Sequence, residues 1–116
     1  MPDFSWSIAL TANQQDVRPL ANWKYRVLPV SSPRWAITIL QRATGVSARE
    51  TLAAGAQEIK QKSPIQGGGT AGVTPVPQTT PVIQFFAAAL DEIIISLDEV
   101  GGLTPTVDGY INVEPA

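Results

Sequence analysis

The sequence contains no histidine and no cysteine, and all eight of its lysine and arginine residues lie at or before Lys62. Histidine and cysteine are the side chains most used for proton transfer near neutral pH, for thiol chemistry and for zinc ligation. Their absence excludes Ser-His-Asp and Cys-His catalytic groups and a disulfide framework. No pattern favours catalysis by Lys24 or Lys60 either. We therefore predict a protein that is not an enzyme and has no cofactor.

Charge is scarce and unevenly distributed. Charged residues make up 16% of the chain, compared with ~25% in typical soluble domains. Residues 1–62 carry eight basic and four acidic side chains, a net charge of +4, whereas residues 63–116 carry six acidic side chains and no basic one. The two halves are expected to attract each other, within one molecule or between neighbouring copies. Because the basic charges are scattered singly, we expect no binding to nucleic acid, which depends on a basic face.

The length of 116 residues predicts one domain spanning residues 1–116. Its first residues, Met-Pro-Asp, lack the basic segment and apolar run of a secretory signal. The longest uninterrupted apolar run, Phe85 to Leu90, has six residues, whereas a helix that crosses a bilayer needs ~20. We therefore expect no membrane partner.

Alternation of apolar and polar residues dominates the chain and predicts β-strands. The predicted strands are Phe4–Leu10, Trp23–Val27, a strand from Trp35 that ends near Thr44, Pro81–Ala87, Ile93–Leu97 and Thr106–Val113. Ile93–Leu97 is apolar on both faces, which favours a central strand. Residues 87–92 are expected to form a corner between two strands. The pattern as a whole predicts an all-β protein, an antiparallel β-sandwich of seven to eight strands that is jelly-roll-like or Ig-like.

Residues 47–62 fit two patterns. Ser47 and Glu50 have the spacing of a capping box, and the apolar residues that follow have helical spacing. Gly55 in the middle and the strand-rich surroundings favour instead an edge strand from Glu50 to Lys60. We favour the strand.

Residues 67–81 contain four glycines, three prolines and no charge. This composition excludes a helix and predicts an extended arm or a long loop, a kind of segment that is often functional. The glycines match the G-x-G-x-x-G pattern, but the prolines that follow exclude the helix that a phosphate-binding loop requires. The residues predicted to contact a partner are Gly67, Gly68, Gly69, Thr70, Gly72, Thr74, Pro75, Pro77, Thr79 and Thr80.

Trp6, Trp23 and Trp35 lie in the apolar phase of their predicted strands. Core positions are expected for all three tryptophans. The alternative is an exposed platform that stacks on a sugar or on a protein partner.

Three aspartates are candidate ligands of a calcium ion if they meet at one end of the sandwich. They are Asp91, Asp98 and Asp108. The favoured interpretation is that they are turn carboxylates, or partners of basic residues on another surface.

Three runs of sequence carry a resemblance to a known family: residues 62–72, 90–100 and 106–113. With its small size, strand content, low charge and uncharged arms, the chain resembles the small β-sandwich decoration or cement proteins of bacteriophage capsids. The resemblance implies a non-enzymatic virion protein that binds and stabilises the major capsid lattice. It also implies synthesis in the host cytoplasm, a place on the capsid surface and a homo-oligomer, with a trimer favoured.

Strand addition is the predicted binding mechanism. Residues 64–86 and Met1–Leu10 are expected to pair with exposed strand edges of other virion subunits, with the charged halves setting the register. Many equivalent contacts on a lattice then multiply a modest affinity. Two alternatives stay open: a virion tail or neck component, and a carbohydrate-binding or adhesion module.

Overall fold

The alternating pattern folds into seven β-strands. The computed structural model describes residues 3–45, 47–65 and 82–116. The strands are β1 (Asp3–Ala9), β2 (Arg34–Ala43), β3 (Ala48–Ala54), β4 (Gln57–Pro64), β5 (Val82–Ala88), β6 (Ile93–Glu99) and β7 (Thr106–Pro115). Within these ranges the only helical element is a three-residue 3₁₀ helix, Lys24–Arg26. The described part of the chain has no helix with the length and apolarity needed to span a membrane.

Two antiparallel sheets pack together as a β-sandwich. The first sheet has four strands in the order β1-β7-β2-β5, and the second has three strands in the order β4-β3-β6. The strand pairs are antiparallel throughout the described residues. The prediction of an all-β antiparallel sandwich with seven to eight strands is therefore confirmed.

Alternate side chains of the strands point between the sheets and form the hydrophobic core. Burial of each such aliphatic side chain stabilises the fold by about 1.5–3 kcal/mol. The most completely buried aliphatic residues are Leu10, Leu20, Leu28, Ile37, Ile39, Ile93, Ile95, Leu97, Val107, Ile111 and Val113.

Trp6 lies across the backbone of β7. It stands opposite Gly109 in the β1–β7 pair, and a Cβ atom built on Gly109 would lie 2.5 to 2.7 Å from three atoms of the indole ring. A glycine is needed here because any side chain would overlap the ring. Trp6, Trp23 and Trp35 are 8, 7 and 3% exposed, so the prediction that all three tryptophans belong to the core is confirmed.

Residues 48–64 form a hairpin of β3 and β4. The turn contains Gly55, whose φ of +58° is a conformation that favours glycine. The preference for strand over helix in residues 47–62 is confirmed. The single edge strand from Glu50 to Lys60 is wrong, because the chain reverses at the glycine.

The segment between β1 and β2 contains no strand. The prediction of a strand over Trp23–Val27 is wrong, because local backbone hydrogen bonds wind this stretch into the 3₁₀ helix. Two isolated bridges connect the segment on either side of this helix to β6 and to the residue just before β6. Val17 pairs with Leu97, and further along the chain Val27 pairs with Glu92.

β6 lies at one edge of the three-stranded sheet, so the central position predicted for Ile93–Leu97 is wrong. Its apolar character on both faces has a different cause. The two bridges hold the segment before β2 against the outer edge of β6, and Ile94 on the outer face is half-buried. The predicted corner over residues 87–92 is confirmed as a turn, with Leu90 at a φ of +71°, that connects β5 in one sheet to β6 in the other.

Candidate functional site

The residues predicted to contact a partner, from Gly67 to Thr80, lie outside the described residues, as does the whole predicted arm. Within the described residues three features carry functional chemistry. They are the outer face of the four-stranded sheet, a polar network inside the sandwich and a group of carboxylates at one end of β6.

The outer sheet face is formed by the side chains that alternate with the core residues of the four-stranded sheet. The strand register arranges them in rows. These rows are Ser7–Asp108–Arg42, Ser5–Tyr110–Leu40–Val82, Asp3–Asn112–Thr38–Gln84, Glu114–Ala36–Phe86 and Arg34–Ala88. Sequence reasoning placed Val82 and Phe86 in one predicted strand, Pro81–Ala87, but it identified neither the rows nor the surface that they form.

An apolar strip crosses the outer sheet face. Phe86, Val82 and Tyr110 are 54, 44 and 41% exposed, and Leu40 lies between Val82 and Tyr110. Phe86 lies two rows from Val82 on the same strand, with Gln84 between them. The Arg34 guanidinium lies 3.9 Å from the centroid of the Phe86 ring, a cation–π contact. Aromatic residues and arginine are enriched at protein interfaces and lysine is depleted. The rows contain no lysine, so their composition is typical of an interface.

A shallow groove of about 320 Å³ lies at the β1 side of this face. The Asn112 amide donates a hydrogen bond to the Asp3 carboxylate beside it. The groove is lined by Asp3, Phe4, Ser5, Tyr110 and Asn112. It therefore combines aromatic rings with hydroxyl, amide and carboxylate groups.

A buried polar network of Trp6, Gln41, Glu50 and Lys60 joins the two sheets. Trp6 Nε1 donates to Gln41 Oε1 at 3.1 Å, and Gln41 Nε2 donates to Glu50 Oε2 at 2.7 Å. Lys60 Nζ donates to the other carboxylate oxygen, Oε1, at 2.5 Å. Gln41 and Glu50 are only 6 and 5% exposed. Glu50, which the sequence pattern offered as part of a helix cap, is therefore a buried carboxylate of β3.

Glu99 is a fully buried carboxylate that binds loop backbone. It accepts hydrogen bonds from the N–H groups of Asn13, Gly101 and Leu103 at 3.0 to 3.2 Å. Burial alone would raise the pKa of Glu99, but the Ser47 hydroxyl and these backbone N–H groups lower it from 4.5 to about 2. Glu99 is thus an ionised anchor for the loops at this end of the sandwich.

Asp98 and Asp16 extend this carboxylate group. Burial would raise the pKa of Asp98, but the Asp16 N–H and the Lys62 ammonium outweigh it and lower the pKa below 3.8. The Ser96 hydroxyl and Arg18 lower the pKa of Asp16. The ionised carboxylates therefore fasten the start of the segment between β1 and β2 to β6.

The proposed calcium ligands do not form a site. Asp91 precedes β6 and accepts a hydrogen bond from the Ala88 N–H, whereas Asp98 lies near the other end of the strand. Asp108 belongs to β7, in the other sheet. Among the residues that the structure describes, no cluster of three or more acidic side chains is positioned to hold a metal ion.

The oppositely charged halves of the chain contact each other within the molecule. Ion pairs among the described residues include Arg18–Asp16, Arg26–Glu92, Lys60–Glu50 and Lys62–Asp98. Arg26–Glu92 and Lys62–Asp98, at 3.2 and 2.6 Å, join the basic half to the acidic half. Part of the expected attraction is therefore intramolecular.

An exposed tryptophan platform is not formed, since Trp6, Trp23 and Trp35 are all buried. We expect tryptophan emission typical of apolar surroundings, weak quenching by acrylamide and no change on addition of sugars. Steady-state fluorescence of the native protein measures all three, with the urea-unfolded protein as the reference. Red-shifted native emission that sugars alter would contradict the buried positions.

Comparisons with known proteins give no match: no protein-family model fits the chain, and no curated protein or solved structure is similar to it.

Proposed function

We propose that this chain is a non-enzymatic structural protein that binds a larger protein assembly through its outer sheet face, and that the assembly is a bacteriophage capsid. The observation that carries the proposal is the apolar strip. Tyr110, Leu40 and Val82 form one row across the adjoining strands β7, β2 and β5, and Phe86 is exposed farther along β5. Single exposed apolar residues are ordinary on protein surfaces. An exposed apolar row that crosses three strands and is bordered by polar residues is typical of a surface that binds another protein.

The chemistry of the face fits a protein partner. The Tyr110–Leu40–Val82 row is uncharged. Arg42 and Asp108 lie in the row on one side of it, and Asp3 lies in the row on the other side. An interface with an apolar centre and a polar rim excludes water from the centre, where anchoring residues contribute most of the affinity. Phe86 and Tyr110 are the anchors that we assign.

The partner we propose is the major capsid protein, with the chain acting as a decoration or cement protein. A repeated lattice offers many equivalent sites, so a modest affinity per site is sufficient for stable coverage. β1 and β5 are the two edges of the four-stranded sheet, on either side of the outer sheet face. Strand addition at these edges and burial of the apolar strip are therefore compatible in one binding mode, and a trimer is the oligomer we favour.

Tyr110→Glu tests this function. We expect at least tenfold weaker binding to capsid shells assembled from the major capsid protein, because the variant places a carboxylate in the apolar strip, a cost of about 1.4 kcal/mol or more. Co-sedimentation over a range of protein concentrations gives the affinity. The matched control is Val30→Glu, which changes a 74% exposed valine in the loop before β2.

Binding of Tyr110→Glu at the wild-type level, with the variant shown to be folded by circular dichroism, would contradict the assignment of this surface. Binding to isolated tails but not to shells would identify the tail or neck component instead.

A carbohydrate-binding or adhesion function is the second candidate, favoured by the groove around Tyr110 and Asn112. Sugar titrations followed by tyrosine and amide NMR signals separate it from protein binding.

A further inference from the structure

The buried polar network places an amine, a carboxylate and a primary amide in one chain of hydrogen bonds. Lys60 Nζ and Gln41 Nε2 bind the two oxygens of the same Glu50 carboxylate, at 2.5 and 2.7 Å. If none of its groups reacts, a network of this kind has only a structural role. It also contains each group that amide transfer requires: a nucleophile, a base and an electrophile.

The orientation of the Gln41 amide follows from its two partners. The indole N–H of Trp6 is only a donor and an ionised carboxylate is only an acceptor. Gln41 must therefore turn its oxygen toward Trp6 and its nitrogen toward Glu50, as the distances of 3.1 and 2.7 Å record. The indole N–H of Trp6 thus donates to Gln41 Oε1, the oxygen on which negative charge would develop during attack on the amide carbon.

We propose that Lys60 and Gln41 become joined by an isopeptide bond that forms within the folded protein, with Glu50 as the base and Trp6 as the oxyanion donor. Glu50 takes a proton from the Lys60 ammonium, and the neutral Nζ attacks Gln41 Cδ. The electron pair of the carbonyl moves to Oε1, beside the Trp6 N–H. Glu50 returns its proton to Nε2, the Cδ–Nε2 bond breaks, and the second proton of the attacking nitrogen leaves with the ammonia as ammonium.

Position and burial support this reaction. Holding two reacting groups together in one site has the effect of a very high local concentration, on the order of 10⁵ M or more. Glu50 and Gln41 are nearly inaccessible to water, which disfavours hydrolysis of the amide, whereas the Lys60 side chain keeps 27% exposure and a flexible stem that can swing from Glu50 to Cδ. Ammonia has a route out at the same exposed end.

The bond would join the two sheets. Gln41 belongs to β2 of the four-stranded sheet, and Lys60 belongs to β4 at the edge of the three-stranded sheet. A covalent link at this place prevents the sheets from separating and closes a loop in the unfolded chain, as a disulfide does. The sequence has no cysteine for that purpose.

Intact mass spectrometry of the denatured wild-type protein tests the proposal. We expect a mass lower than the sequence mass by one ammonia molecule. Tryptic digestion should give residues 35–42 joined to residues 50–62, because cleavage after the modified Lys60 is blocked. Lys60→Arg and Glu50→Gln should both keep the full mass, and Lys62→Arg, which changes the neighbouring lysine of β4, should still lose ammonia.

The full sequence mass in wild-type protein that has been kept folded for days would overturn the proposal, as would ammonia loss that persists in Lys60→Arg. Because the first measurement uses the unaltered chain, instability of a variant does not affect it. The result is also independent of capsid binding, so failure of one proposal leaves the other standing.

Discussion

Substitution of Gly109 by alanine is expected to lower the free energy of unfolding by about 3 kcal/mol, the upper part of the usual range for overpacking of a core. The added Cβ would lie 2.5 to 2.7 Å from three atoms of the Trp6 ring. The ring cannot turn aside freely, because it is 8% exposed and its Nε1 donates to Gln41. Relief of the overlap therefore breaks a buried hydrogen bond as well. Urea denaturation monitored by circular dichroism measures the loss.

A double-mutant cycle identifies the cause. In a Trp6→Leu background the ring is absent, so Gly109→Ala should change stability little, or even raise it slightly, because alanine loses less conformational entropy than glycine when a strand forms. An equal loss in both backgrounds would show that backbone conformation, and not the approach of the indole, requires glycine at this position.

Acidification is expected to lower the free energy of unfolding, because protonation of Glu99 weakens its hydrogen bonds to the loops at one end of the sandwich. The folded-state pKa of Glu99 is about 2 and its ordinary value is 4.5, so the unfolded chain binds the proton more readily. Its contribution to stability is therefore fully present above pH 4.5 and is lost as the pH falls toward 2. Asp98 and Asp16, whose pKa values are lowered from 3.8, act in the same direction.

Glu99→Gln separates this carboxylate from the others. At pH 7 the variant should be less stable, because its amide group places hydrogen atoms among backbone donors that need an acceptor. Between pH 4.5 and 2.5 it should take up about one proton fewer on unfolding than the wild type. Urea denaturation at a series of pH values gives both quantities. Glu58→Gln, an exposed change on β4, is the control, and an equal pH dependence of Glu99→Gln and wild type would contradict the anchoring role.

The strands were predictable where each has one face in the core and one face outside. β1, β2, β5 and β7 show this alternation, and their predicted positions agree with the structure to within a few residues. The pattern misleads at Trp23–Val27 because a buried tryptophan followed by a half-buried tyrosine also arises in an irregular segment that covers an edge. It misleads at β6 because an edge strand covered from outside has the same composition as a central strand.

The outer sheet face was beyond sequence reasoning for a different reason. Val82, Leu40 and Tyr110 come from three strands, and only the register of β5, β2 and β7 makes them neighbours. The buried polar network has the same origin, since Gln41 and Lys60 lie in different sheets. One clue was present in the sequence: Glu50 falls in the inward phase of its strand, where a carboxylate requires a partner.

The place of β7 has a consequence for the order of folding during synthesis. This strand comes last among the seven, yet it lies between β1 and β2 and pairs with both. Until residues 106–115 have left the ribosomal tunnel, the first strand has no partner and the four-stranded sheet is divided. During synthesis β1 therefore stays unpaired and accessible to chaperones. The four-stranded sheet is completed only after the seventh strand has been translated.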